Sequence, residues 1–464
     1  MTTDQDNDKT MAHHVEVREE TYVFTPETKK KLIYLLVAGI VLLVLGVILA
    51  MTGGGHEEHS GGHASNASQA LVASVQQHEA ASEGHEAAAG EHHGSPVWLK
   101  RIYTTLWMNN IFFVGAGIIG LFFVAIQYAA MAGWSVGVKR VGLAMGTWIP
   151  IGGILTLVLW FVTSGDVFHW THSDLYQEGG DDIIKKKAPF FFWPLEGGSF
   201  PIFFLFRMIL FFGVWYWFLV QIRKNMLAED IDNSTKYWHN NQVLSTVFLI
   251  FFGVSSSIAA WDWVMSIDTH WFSTMFGWYV FASWWVTGLA MITLIVAFLK
   301  DAGYLKIVNS NHLHDLGKFC WAFSIFWTYI WFGQFLLIYY AHIPEETVYF
   351  VERMKNSPYS WIFYTNIILN FVLPFLLLMT RDSKRQLSTL KLVCPIIIIG
   401  HWFDFYNMVT PGVMQHDGAL GLVEIGTALI FIAAFLFVTL TSLQKLPLFG
   451  KNDPMLEESL HHHI

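Results

Sequence analysis

The sequence predicts an all-α, polytopic membrane protein of about ten transmembrane helices, and three observations carry that expectation. The composition is 54% hydrophobic and 14% charged over 464 residues, which leaves too few charges to solvate a globular surface of this size. Apolar stretches long enough to cross a hydrocarbon core of roughly 30 Å recur from Leu32 onward. Short alternating segments of the kind that build a membrane β-barrel are absent from the pattern.

Charged and polar punctuation places the spans near 32-51, 102-130, 141-165, 199-222, 243-267, 274-299, 318-341, 359-380, 388-409 and 420-443. The resulting plan is a tail over 1-31, a first helix over 32-51, a linker over 52-101 and an eight-helix core over 102-409. An outer loop with a tenth helix over 410-443 and a second tail over 444-464 complete it. The polar, acidic start lacks the cleavage site of a signal peptide, so the first span is expected to remain as an anchor. With ten spans both tails share one side of the membrane. That side carries 19 Lys and Arg against 7 on the other, and the excess predicts that both termini are cytoplasmic in a bacterial inner membrane.

The linker over 52-101 is rich in Gly, Ala, Ser, Glu and His, with His56, His59, His63, His78, His85, His92 and His93 at irregular spacing, and is expected to be solvated chain. The outside loop 166-198 differs: it holds Phe190-Phe191-Phe192-Trp193-Pro194 and Gly197-Gly198, a composition suited to packing on the bundle or a partner. Spans 2-5 can be laid over spans 6-9. Trp261-Asp262-Trp263 near the end of one unit answers Phe403-Asp404-Phe405 in the other, which predicts two parallel four-helix bundles related by an axis along the membrane normal.

An ionisable side chain inside a span is costly and therefore faces a partner, a cavity or a proton route. Arg207 lies roughly 12 Å into span 4 and Asp262 near the outer end of span 5, so the two are placed to compensate each other, either as a helix lock or as part of a proton site. His401 falls near the midplane of span 9, and Asp404 follows at i+3 on the same face. A carboxylate beside an imidazole can hold its tautomer and accept its charge, which makes this pair a proton-handling candidate. The alternative is a histidine satisfied by a neighbouring carbonyl. Asn366 and Asn370 share a face of span 8 ahead of Pro374, Asn109, Asn110, Gln334 and Glu424 add polarity in the outer half, and Ser255, Ser256 and Ser257 lie inward of Asp262. Asp166, His169 and His342 stand at the outer ends of spans 3 and 7. The Trp and Tyr residues near span ends fit an interfacial aromatic belt.

Some functions lack the residues they need. The net charge of -9 without a basic cluster speaks against nucleic-acid binding. Cys320 and Cys394 form no C-x-x-C or haem-attachment motif, and a bundle haem b would want facing midplane histidine pairs where only His401 has that depth. No redox metal, haem or iron–sulfur cluster is therefore expected in this chain.

The hairpin between spans 5 and 6 reads Trp261-Asp262-Trp263-Val264-Met265-Ser266-Ile267-Asp268-Thr269-His270-Trp271-Phe272-Ser273-Thr274-Met275-Phe276-Gly277-Trp278-Tyr279. It resembles the signature hairpin of the NrfD-type (polysulfide-reductase-type) membrane subunits of bacterial alternative complex III. Gly333-Gln334-Phe335-Leu336-Leu337-Ile338-Tyr339-Tyr340, followed by Ile343-Pro344-Glu345-Glu346-Thr347, is similar to the ActF branch of that family. The resemblance runs over most of the chain from about residue 100. It implies a subunit of a quinol:cytochrome c oxidoreductase of the respiratory chain, with an ActC-like sister subunit and with iron–sulfur clusters and haem c carried by partner subunits. In the sister a histidine nearly two turns before the hairpin aspartate helps form the quinol site, and Ser256 stands at the matching position here. That substitution shifts the expectation from quinol chemistry to proton handling by Asp262, His401, Asp404 and Arg207. A quinone or lipid near Asp166, His169, Ser256 and His342 remains the secondary expectation, and a purely structural anchor or a secondary transporter are the alternatives.

Overall fold

The computed structural model describes residues 19–52, 95–232 and 234–463; the histidines expected in the linker lie outside the described residues. The ten long apolar helices are α1 (Pro26–Thr52), α2 (Val97–Ala129), the pair α3 (Lys139–Gly146) and α4 (Ile149–Val167), α6 (Ile202–Ile231) and α7 (Lys236–Trp263). They continue as α8 (Phe276–Asp301), α9 (Ser310–Ala341), α11 (Tyr359–Ile367) with α12 (Leu373–Leu377), α14 (Leu387–Met414) and α15 (Leu422–Gln444). Shorter helices fill the loops: α5 (Asp182–Phe192), α10 (Pro344–Lys355), α13 (Arg381–Arg385) and α16 (Leu456–Leu460). The protein is an all-helical, polytopic bundle. Among the described residues the one strand-like contact is an isolated bridge between Thr21 and Pro447, which brings the two terminal segments together on one face. We call this the terminal face and the opposite one the distal face.

Two four-helix bundles form the core. The first contains α2, α3–α4, α6 and α7, and the second α8, α9, α11–α12 and α14. Helix α2 packs on α8 and also on α14, while α8 packs on α7, so each bundle offers the corresponding helix to the other as two related repeats would. α2 and α8 are the innermost pair, with 89% of each apolar stretch buried. Their close approach needs Gly115, because a Cβ there would lie 1.8 Å from the Trp284 ring. The outward faces of α4 and α7 leave Ile154, Phe161, Ile250 and Val254 exposed, as a lipid-facing surface requires.

Several boundaries differ from the sequence reading. α6 runs on past Arg223 and Lys224 to Ile231, because a helix that has left the hydrocarbon no longer needs apolar residues. α14 continues through Pro411 to Met414, moving the core boundary beyond 409. The expected outside loop after span 7 contains α10, which buries Tyr349, Phe350 and Arg353. The final tail is also packed: Leu446, Leu448 and Phe449 are buried against the terminal face. α1 stands outside the core and rests on α15, where a Cβ at Gly426 would come within 2.6 Å of the Leu43 backbone nitrogen. Gly426→Val is therefore expected to push α1 away and cost about 1–3 kcal/mol, seen as a lower melting temperature in detergent, whereas the same change at Gly213, which faces open space, should be far milder.

Candidate functional site

Each bundle carries one fully buried aspartate, and the two are satisfied in different ways. In the first bundle, Asp262 near the end of α7 meets Arg207 on α6. Arg207 Nε donates to one carboxylate oxygen at 2.7 Å and Nη2 to the other at 2.6 Å. The guanidinium also donates to the Phe190 carbonyl at 2.8 Å and lies over the rings of Phe190 and Phe203. Both charges are compensated at bidentate geometry, and a pair held this way locks α6 to α7. Removing one partner by Asp262→Ala should cost about 3–5 kcal/mol, read as a fall in melting temperature, and the double replacement Arg207→Met with Asp262→Leu should recover most of it.

In the second bundle, Asp404 sits in α14, and its partners are neutral. Asn366, on the third helix of this bundle as Arg207 is on the third of the first, donates Nδ2 to Asp404 at 2.8 Å. Trp327 Nε1 of α9 donates to the other oxygen at 2.9 Å, and the Tyr279 hydroxyl of α8 donates to the same oxygen as Asn366. His401, one turn earlier, is fully buried with Nδ1 3.9 Å from the carboxylate and 3.0 Å from Ser283 Oγ. Its Nε2 has no hydrogen-bond partner among the described residues. The site thus joins a carboxylate held in place by three neutral donors to an imidazole with one free nitrogen. It can take up a proton on His401, whose positive charge the carboxylate would stabilise.

The backbone around this site departs from a regular helix. Residues 368–372 between α11 and α12 form a π-helical turn just before Pro374, and Asn370 within it donates to Asn366 at 2.5 Å. Proline lacks the N–H that the turn before it would use, and a π turn is one way to absorb the mismatch. It directs Asn370 to Asn366, which in turn reaches Asp404.

A cavity of about 10 Å³, room for one water molecule, lies on the distal side of this shell, lined among others by Tyr279, Asn366, Gln334, Asn407 and Arg353. Gln334 Nε2 and both polar side-chain atoms of Asn407 are buried there without partners. Arg353 closes the distal end: it donates to Asp268 Oδ2 at 2.8 Å and to the Asn407 carbonyl at 2.7 Å, and lies over the Tyr349 ring. Burial alone would lower the Arg353 pKa, but Tyr349, Asp268 and Glu352 raise it, so the cation is permanent.

No protein-family model matches the chain, and no curated protein matches it. Among the described residues no group of three His, Cys, Asp or Glu side chains is placed to hold a metal ion.

The remaining residues singled out in the sequence have separate surroundings. Asp166 accepts from Ser95 Oγ at 2.9 Å, His169 is exposed with its ring 5.5 Å from that of His172, and His342 is an exposed left-handed cap at the end of α9. Ser256 is buried in α7. No hydrogen bond or ion pair among the described residues joins any two of these four. The distal contact that does form links His270 Nε2 to Asp181 Oδ2 at 2.5 Å, with the same Asp181 capping α5 through the Ile183 and Ile184 amides. Burial raises the Asp181 pKa, but His270 and the two amides outweigh it and hold the carboxyl below its usual range. This cap is therefore complete above the ordinary carboxylate pKa and is lost only as pH falls through the lowered value.

Sequence reading missed Tyr279, Ser283, Trp327, Arg353 and the Arg101–Glu424 pair, in which Arg101 donates twice at 2.6–2.7 Å to a carboxylate that is 1% exposed. One signal was present. Tyr279, Ser283 and Thr287 recur at i+4 and mark a polar stripe on an otherwise apolar helix.

Proposed function

We propose that this chain is an integral subunit of a quinol-oxidising, cytochrome c-reducing complex of the alternative complex III type, in which it handles protons and carries no electrons. The family-level resemblance of the hairpin and of the 333–347 segment supports the assignment to such a complex. The observation that carries the proton role is the second-bundle site: a fully buried Asp404 with neutral donors only, an imidazole 3.9 Å away with a free nitrogen, and a cavity reached through two of those donors, Tyr279 and Asn366. On this reading the distal face is the outside of a bacterial inner membrane, both termini are cytoplasmic, and an ActC-like sister with iron–sulfur and haem c subunits supplies the redox centres.

Arg207 already neutralises Asp262 at bidentate geometry, which favours a structural role for the first bundle and leaves the proton role to the second, whose carboxylate has no cationic partner. Ser256, standing where the sister subunit of the resembled family has a histidine, weighs against a quinol site at its position and leaves quinone or lipid a peripheral ligand. A second reading, a structural anchor for the outside subunits, is favoured by the distal aromatic side chains left exposed at Trp193, Phe272 and Tyr340.

In the assembled complex, Asp404→Asn and His401→Ala should each lower turnover of a short-chain quinol or its coupled proton uptake by about tenfold or more, without loss of assembly. Normal values in both variants would remove the proton role. Loss of assembly after replacement of 166–198, with both point variants silent, would establish the anchor in its place.

A further inference from the structure

A second set of buried polar atoms lies at the terminal face of the first bundle. Glu229, in the last turn of α6, is 3% exposed and has Oε1 without a partner. Tyr128 of α2, 2% exposed, has an unpartnered hydroxyl and lies within electrostatic reach of Glu229, Lys139 and Asp453. Asn241 and Ser245, one turn apart on α7, are both fully buried; Ser245 leaves its hydroxyl unpaired, and the Asn241 amide lies within reach of the Tyr128 hydroxyl. A cavity of about 10 Å³ opens beside Tyr128 and Lys139, and Met455 of the final segment forms part of its wall.

The chain's own C-terminal segment closes this region. Asp453 pairs with Lys139, Arg140 donates to the Pro447 carbonyl at 3.0 Å, and Asn452 donates to the carbonyls of Glu229 and Asp230 at 3.1 Å each. Further along, Ser459 meets His312 Nε2 at 3.0 Å and His462 meets Asp315 at 2.7 Å. The charged groups around Glu229 are Lys139, Arg140, Asp230 and Asp453, two cations against two further carboxylates.

We propose that Glu229 is a water-solvated protonation site and that residues 446–460 are its lid. Glu229 Oε1 and the hydroxyls of Tyr128 and Ser245 are buried without a protein partner at this end of the bundle, and buried polar atoms of this kind call for water, for which the cavity beside Tyr128 has room. A metal cation is disfavoured by Lys139 and by the shortage of acceptors. Beyond Ser245 the buried face of α7 turns to Phe248 and Phe252, packed with Phe218, so hydration ends there and the chamber communicates with the terminal face alone. The inference is independent of the quinol assignment.

The full-length chain in lipid nanodiscs, treated with dicyclohexylcarbodiimide at pH 6 to 9, tests it, since this reagent forms a stable adduct with a protonated carboxyl in apolar surroundings. Mass spectrometry should find an adduct on Glu229 that declines as pH rises, is absent in Glu229→Gln, and increases several-fold in Asp453→Asn, where the lid loses its hold on Lys139. Hydroxyl-radical footprinting should oxidise Tyr128 despite its burial. An unlabelled Glu229 across the pH range together with an unoxidised Tyr128 would overturn the proposal, as would labelling that is indifferent to pH. Should Asp453→Asn fail to fold, the wild-type pH series and the footprint decide alone.

Discussion

In a hydrocarbon slab a carbonyl that a proline leaves without a donor has to find one inside the protein, and at Pro411 that donor is Arg353. Pro411 removes the N–H that would have met the Asn407 carbonyl, and the buried guanidinium supplies a hydrogen bond of 2.7 Å in its place. The same side chain neutralises Asp268 in the hairpin between α7 and α8 and reaches the Met408 carbonyl. One cation on α10 thus ties the distal end of α14 to the hairpin that joins the two bundles. The position of Asp404, nearly three turns below the end of α14, depends on that helix continuing unbroken.

The two repeats show how one architecture serves two ends. Both place a fully buried aspartate late in the fourth helix of the unit, facing the third. Where the third helix supplies Arg207, the charge is cancelled and the helices are locked together. Where it supplies Asn366, the carboxylate keeps three neutral hydrogen bonds and its negative charge is left to a nearby imidazole. On the proposed reading, an amide in place of a guanidinium is the difference between a structural joint and a site able to respond to a proton. The polar cavity beside it, with Gln334 and Asn407 unpaired, offers a place for water between that site and the distal face.

The ten spans were legible because the demand for apolar length is local and leaves its mark on every window of sequence. Helix ends were less so. α6 continues to Ile231 and α14 to Met414 for reasons that lie outside their own hydropathy: one emerges from the slab, and the other has its orphan carbonyl answered from a different element. Depth and spacing put Arg207 opposite Asp262 and His401 beside Asp404, since an uncompensated charge in a span leaves few options. They could not disclose Arg353 or Arg101, which read as loop charges: Arg353 is buried where α10 folds back over the bundle, and Arg101, half-buried at the start of α2, is paired with Glu424 of α15. Tyr279 passed for an interfacial aromatic and Trp327 for an ordinary apolar one, because residue type alone does not reveal that a hydroxyl or an indole N–H points inward to a carboxylate.

The central claim is that the Asp404–His401 pair changes its protonation state within the folded protein. Infrared difference spectra of the full-length chain in lipid, recorded between acid and alkaline pH and compared with Asp404→Asn and His401→Gln, address it directly. A carboxyl or imidazole titration signal that exchanges in D₂O and is abolished by either substitution is the expected result. Wild-type and variant spectra that superimpose would contradict it.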